Sequence, residues 1–272
     1  MKIGVFDSGY GGLTILKEIR NLMPEYDYIY LGDNARAPYG ARSFDIVYDF
    51  TLQAVKALFA RDCKLVILAC NTASAKALRS IQQIDLPGID PTRRVLGVIR
   101  PTIEILPKLT KTGHIGLLAT RGTVASHSYA LELEKTAPKM KITELACPMW
   151  VPLVECNEAQ SDGADYFVKK YISQLIETDP IIDTIVLGCT HYPILLPKIM
   201  KYAPDGVKIL AQGARVAESL KDYLGRHPEI EKEISKNASI EYLTTESPEK
   251  FNTLASLFLD ESVKSSRILL SD

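Results

Sequence analysis

Leu65-Val66-Ile67-Leu68-Ala69-Cys70-Asn71-Thr72 and Thr184-Ile185-Val186-Leu187-Gly188-Cys189-Thr190-His191 carry one pattern twice: an apolar run, a small residue, a cysteine and two polar residues. A short run that is apolar at consecutive positions, not at alternate ones, reads as a strand covered on both faces, which points to a parallel sheet flanked by helices. The polar residues then fall at the carboxyl end of the strand, the place where such sheets bind ligands. Because each half of the chain holds a copy, the reading is two related α/β domains facing each other, each contributing one cysteine.

The same pattern, followed outward, places further strands at Lys2–Phe6, Tyr26–Leu31, Val95–Ile99, His114–Ala119, Lys141–Ala146, Val207–Leu210 and Ile240–Leu243. Between the strands, Leu13–Met23, Asp45–Ala60 and Ala73–Ile84 space their apolar residues by three and four, as helices do. Asp85–Arg94, with Pro87, Gly88, Pro91 and its charges, reads as a loop, and Thr178–Pro180 as another. The fold class is α/β, two related parallel-sheet domains facing each other.

A chain of 272 residues has room for two domains of roughly 100–150 residues each. With 46% hydrophobic residues, 24% charged residues and a net charge of -1, the composition is that of a soluble globular protein. It leaves no basic excess to neutralise phosphates, so nucleic acid is not an expected partner. No apolar run reaches the roughly 18 residues of a membrane span. The opening MKIGVFDSG is cut by Asp7 and lacks the long apolar region of a secretion signal. The five cysteines are an odd number and form no C-x-x-C pair, which argues against a disulfide framework and a zinc ribbon. The expected setting is reducing and cytoplasmic, with no metal.

The polar motifs fall at strand ends: Asp7-Ser8-Gly9-Tyr10-Gly11-Gly12, then Asp33 and Pro38-Tyr39-Gly40, then Cys70-Asn71-Thr72-Ala73-Ser74, Thr120-Arg121-Gly122-Thr123 and Cys189-Thr190-His191-Tyr192-Pro193. Ser8, Asn71, Thr72, Thr120, Thr123 and Thr190 offer hydrogen-bond donors to carboxylates. A cysteine at a helix N-terminus has its thiolate stabilised, which makes it a usable base near neutrality. Two such thiols on opposite faces of an amino-acid α-carbon suit inversion: one removes the proton while the other delivers a proton from the far side. Asp7 and His191 are candidates to hold the substrate ammonium or orient a thiol. On residues alone, Asp7 and Asp33 also read as capping or loop residues, His191 as a structural histidine, and Tyr39-Gly40 as a simple turn. Cys63, Cys147 and Cys156 lack the polar followers and read as small buried hydrophobes.

Taken together, Phe6-Asp7-Ser8-Gly9-Tyr10-Gly11-Gly12, Pro38-Tyr39-Gly40, Ala69-Cys70-Asn71-Thr72-Ala73-Ser74 and Leu187-Gly188-Cys189-Thr190-His191-Tyr192-Pro193 resemble the glutamate racemases, in order and spacing over essentially the whole chain. The resemblance implies an enzyme that works without pyridoxal phosphate or any other cofactor, interconverts L- and D-glutamate and supplies the D-isomer for peptidoglycan. It implies Cys70 and Cys189 as proton donor and acceptor, with Asp7 and His191 as auxiliaries near the amino group. Ser8 and the Tyr39-Gly40 backbone would bind substrate, the latter near the side-chain carboxylate. Asn71, Thr72, Thr120 and Thr190 would hold the α-carboxylate, and Glu155 would line the site. It further implies a first domain of residues 1–98 plus 209–272, a second of residues 99–208 with the active site between them, and a small-molecule substrate as partner; a homodimer stays open.

Relatives often carry an acidic residue soon after the strand near 210, where this chain has Ala211-Gln212-Gly213, so no site role is assigned to that loop. Three rival readings stay in view. One is an aspartate or hydantoin racemase of the same two-thiol class, and another is a binding module that shares the fold without the chemistry. The third is a dinucleotide-binding protein that uses Gly9-Tyr10-Gly11 and Asp33, although Thr14 stands where the third glycine belongs.

Overall fold

Successive residues of β1 (Lys2–Asp7), β2 (Tyr28–Gly32) and β3 (Cys63–Leu68) alternate between two separate hydrophobic clusters. Ile3, Val5, Tyr28, Tyr30, Leu65 and Ile67 face one cluster, while Phe6, Ile29, Leu31, Val66 and Leu68 face the other. Both faces are therefore covered, and that is why these strands read as unbroken apolar runs. The computed structural model describes residues 1–270.

The remaining strands are β4 (Arg94–Gly97), β5 (His114–Ala119), β6 (Lys141–Ala146), β7 (Thr184–Gly188), β8 (Lys208–Leu210), β9 (Ile240–Thr244) and β10 (Ser265–Arg267). They form a six-stranded sheet in the order β10-β9-β2-β1-β3-β4 and a four-stranded sheet in the order β6-β5-β7-β8, and the strand pairs are parallel. The second sheet repeats the β2-β1-β3-β4 order of the first, strand for strand. Cys70 follows the third strand of one half and Cys189 the third strand of the other.

The expected boundary at 208/209 falls inside β8, whose residues pair with β7 of the second sheet, so the return to the first sheet comes after Leu210. There the helix Gly213–Arg226 packs against Leu13–Leu22, which flanks β1. Asp85–Arg94 is not a loop throughout. A π-helical turn at Ile81–Asp85 runs into a short helix at Leu86–Ile89. Leu86 is buried, and Pro87 follows directly on the π-helical turn. β10 had no counterpart in the sequence reading because Ser-Ser-Arg carries no apolar pattern.

Candidate active site

The carboxyl ends of the two sheets meet. A side-chain carbon at Gly11, in the loop after β1, would lie 2.3 Å from Thr190 Oγ1 and 2.5 Å from His191 Nδ1, both beyond β7. Only a residue without a side chain lets these loops approach so closely. Thr14 Oγ1, one turn on, donates to the Thr190 carbonyl at 3.2 Å, and Thr190 Oγ1 donates to Asp7 Oδ1 at 3.4 Å. A second seam joins Gly40, which has room for no side chain against Thr120, to Gly122, whose N–H donates to the Gly40 carbonyl at 2.8 Å.

Asp7, Cys70, Cys189 and His191 are all buried in this cleft. Cys70 is the N-cap of the helix Asn71–Lys76: its sulfur accepts from Ala73 N–H at 3.5 Å, and its thiol donates to Ser8 Oγ at 3.5 Å. The helix terminus was expected to lower this thiol. Instead burial, reinforced by the Asp7 carboxylate, outweighs the contacts with Ser8 and Ala73 and pushes Cys70 up to about 12. Burial likewise raises the Asp7 carboxyl above its ordinary value, against the pull of His191 and the N–H groups of Gly12 and Gly9.

The Cys189 side is built differently. Its sulfur lies 3.9 Å from His191 Nδ1, and His191 Nε2 lies 3.0 Å from Glu155 Oε1. Burial works against an imidazolium here, but the contacts with Cys189 and Glu155 prevail and hold His191 up to about 10. The buried ring lies between a sulfur and a carboxylate, and both contacts favour its protonated form. Cys189 is not an N-cap: the chain first makes a 3-10 turn at Tyr192–Leu195 before the helix Leu196–Tyr202 begins.

Thr72, Thr120 and Thr123 form a cluster of hydroxyls across the seam, with oxygen separations of 2.9, 3.1 and 3.4 Å. Thr120 caps the helix Arg121–Ala125 by accepting from Thr123 N–H at 3.3 Å. Tyr39 is buried between Phe6 and Phe50, and its hydroxyl donates to Asp33. Asp33 is fully enclosed and also accepts from Arg36 Nε at 2.7 Å and Thr245 Oγ1 at 2.9 Å, so its carboxylate braces the Tyr39-Gly40 loop and is closed to a ribose. Asn71 Nδ2 donates to Gln212 Oε1, and Asn71 Oδ1 accepts from Tyr129. Among the described residues, no group of three His, Cys, Asp or Glu side chains converges as a metal would require, and no helix is long and apolar enough to cross a membrane.

Residues 13–217 match the family model described as Asp/Glu/hydantoin racemase. The chain belongs to this family. It is 39% identical to a glutamate racemase of Paracoccus denitrificans, over 97% of this chain and 98% of that one. A glutamate racemase isoform from Bacillus anthracis superimposes with a TM-score of 0.90 at 34% identity, covering 99% of this chain and 97% of that one. The glutamate racemase of Francisella tularensis in complex with D-glutamate superimposes with a TM-score of 0.86 at 32% identity, again over 99% and 97%.

Of the residues expected from the racemase resemblance, Asp7, Ser8, Cys70, Glu155, Thr190, Cys189 and His191 gather where the sheet ends meet, and Thr72 reaches Thr120 across the seam. Gly40 and Thr120 lie at the seam, Tyr39 is turned into the core, and Asn71 is bound into a side-chain network. Thr123, named among the strand-end donors but not carried into the site, belongs to the hydroxyl cluster. The spacing Thr120-x-x-Thr123, that of an N-cap and its partner, was the available signal. Gln212 departs in residue type from the acidic residue frequent in relatives near this point, although its position beyond β8 satisfies the strand-end rule that locates the other residues.

Proposed function

We propose that the chain interconverts L- and D-glutamate by proton transfer at the α-carbon between Cys70 and Cys189. The carrying observation is the pair of buried sulfurs supplied by equivalent strands of two facing sheets, each with its own polar companion. Burial and Asp7 keep Cys70 as a thiol, so it enters as the proton donor on its face. Cys189, beside the His191 imidazolium and Glu155, accepts the α-proton on the other face, and the roles exchange in reverse. The threonine hydroxyls and Ser8 are donors suited to the carboxylates, whose negative charge must be held by oriented groups while the carbanion develops. Glutamate is favoured over aspartate or a hydantoin by the high-coverage relatives named above and by the D-glutamate in the Francisella structure. A homodimer, a cytoplasmic location and a D-isomer destined for peptidoglycan belong to the same reading, and light scattering tests the first of these.

Incubating purified protein with L-glutamate, and separately with L-aspartate, in D2O without pyridoxal phosphate tests the proposal. The expected outcome is loss of optical rotation for glutamate and one deuterium at the α-carbon of the product. Product free of deuterium, or equal turnover of aspartate, overturns it.

A further inference from the structure

Gln212 lies outside the roles proposed so far, yet it is one of the most tightly engaged polar side chains in the molecule. Asn71 Nδ2 donates to Gln212 Oε1 at 2.7 Å, Gln212 Nε2 donates to the Tyr129 hydroxyl at 2.7 Å, and that hydroxyl donates to Asn71 Oδ1 at 2.6 Å. The three bonds close a ring in which each group donates to the next. The second N–H of Gln212 is taken by Thr102 Oγ1 at 2.7 Å, and Thr102 in turn donates to the Val98 carbonyl at 2.7 Å. Asn71, Thr102, Tyr129 and Gln212 are all at most 3% exposed, so water cannot substitute for a lost partner.

The ring fixes an orientation. Turning the Asn71 amide over alone would set its oxygen against Gln212 Oε1 and leave Tyr129 donating to nothing, so the orientation of the Asn71 amide is tied to that of Gln212. Asn71 is the residue after Cys70 and opens the helix that Cys70 caps, while Tyr129 belongs to the helix Ser128–Thr136 on the second-sheet side. The cycle therefore joins the two halves of the molecule at the residue that follows Cys70. It uses one N–H of the Asn71 amide and its oxygen, and so ties the residue next to Cys70 to the second half.

We infer that Gln212 is a positioning residue for substrate binding: across the domain seam it holds the Asn71 amide in a fixed orientation, and the remaining N–H of that amide serves the substrate carboxylate. The inference rests on the glutamate reading above. It requires an amide at 212, because the position must accept from Asn71 while donating to both Tyr129 and Thr102. A carboxylate of the same shape can do only the first. With Gln212→Glu, Tyr129 must turn its proton toward the carboxylate, and Asn71 Oδ1 loses its donor.

The test is steady-state racemisation in both directions, together with calorimetric binding of D-glutamate, for the wild type, Gln212→Glu, Tyr129→Phe and the double variant. Gln212→Glu is expected to raise KM and weaken D-glutamate binding by about 10- to 100-fold, the factor carried by a hydrogen bond to a charged group, with a smaller change in kcat. The defect should shrink as pH falls, since the introduced carboxyl regains a donor once it is protonated. Tyr129→Phe should raise KM in the same direction, and the double variant should be no worse than the poorer single one, because both act through one ring. A wild-type KM in folded Gln212→Glu, or strictly additive effects, overturns the inference. If Gln212→Glu does not fold, Tyr129→Phe decides alone: a lowered Tm with unchanged KM counts against positioning. A wild type inert toward glutamate defeats the functional reading and this inference with it, whereas an active wild type beside an unaffected variant defeats only the inference.

Discussion

Cys70 and Cys189 occupy equivalent places in the two halves but face different neighbours: Ser8 and Asp7 on one side, His191 and Glu155 on the other. Replacing either with alanine should abolish racemisation, a loss at or beyond the 10²–10⁴-fold, roughly, that a positioned acid or base contributes. Serine should fare little better, because a hydroxyl is a far weaker acid than a thiol. Cys63→Ala, Cys147→Ala and Cys156→Ala should keep most activity, and kinetics in both directions on all five variants checks the set. His191 supplies a pH prediction with a definite sign. Its folded value of about 10 lies above the ordinary 6.5, so the imidazolium is present through neutrality and is lost as pH rises through about 10. The kcat/KM profile should therefore fall on its alkaline side near pH 10, and His191→Asn should lower turnover and remove that dependence. An alkaline limb unchanged in His191→Asn would show that the ring does not govern it.

The decisive elements are the loops at strand ends, above all Asp7 to Gly12. Gly9 N–H donates to Asp7 Oδ2 at 3.0 Å, which holds the carboxylate in place, and Gly11 lies against Thr190 and His191. A methyl group at 11 must displace the His191 ring or push the two sheets apart. Gly11→Ala is expected to cut kcat by at least about 100-fold, because misplacement of about 1 Å near a reacting centre costs that much. Circular dichroism of the variant should remain that of a folded α/β protein. Retained activity would mean that the close approach of the two loops is dispensable. Nine of the ten described strands, and the helices Leu13–Leu22 and Phe44–Ala60, were legible in the sequence to within a residue or two, since both-face burial writes itself as apolar runs. The helical turn at Leu86–Ile89 was not, because Pro87 and Gly88 weigh locally toward a loop while the burial of Leu86 is a tertiary effect.

At the scale of the whole molecule, the shared strand order of the two sheets places like strand ends opposite one another, and one hydrophobic cluster runs through both, from Ile3 and Val5 to Ile185 and Leu187. Stability at low pH should be set by carboxylates that brace loops at the other end of the second sheet. Asp183 accepts from Thr110, Lys111 N–H, Thr112 N–H and Thr184, and Asp179 from His114, Lys141 and Thr143. Burial opposes their ionisation, but these bonds prevail and hold both at about 2, below the ordinary 3.8. Their contribution is present above about pH 4 and is lost as pH falls toward 2, because the unfolded chain takes up the protons first. Tm should drop steeply over that window, and Asp183→Asn should show a lower Tm at neutral pH with a shallower acid decline. A parallel decline in both proteins would remove Asp183 from the account.

The sequence by itself determined the α/β class, the two matching cysteine-bearing strand ends and the polar residues beyond them, because covering a parallel sheet on both faces and turning at its carboxyl edge are local demands on residue type. Only the tertiary structure decided which polar groups are spent on one another. Tyr39 turns inward to Asp33, Asn71 is locked by Gln212 and Tyr129, and burial raises Cys70 where its helix terminus alone would lower it. Hydrogen-bond partners and desolvation depend on what the other half of the chain brings to the same point in space, and no spacing within one segment records that.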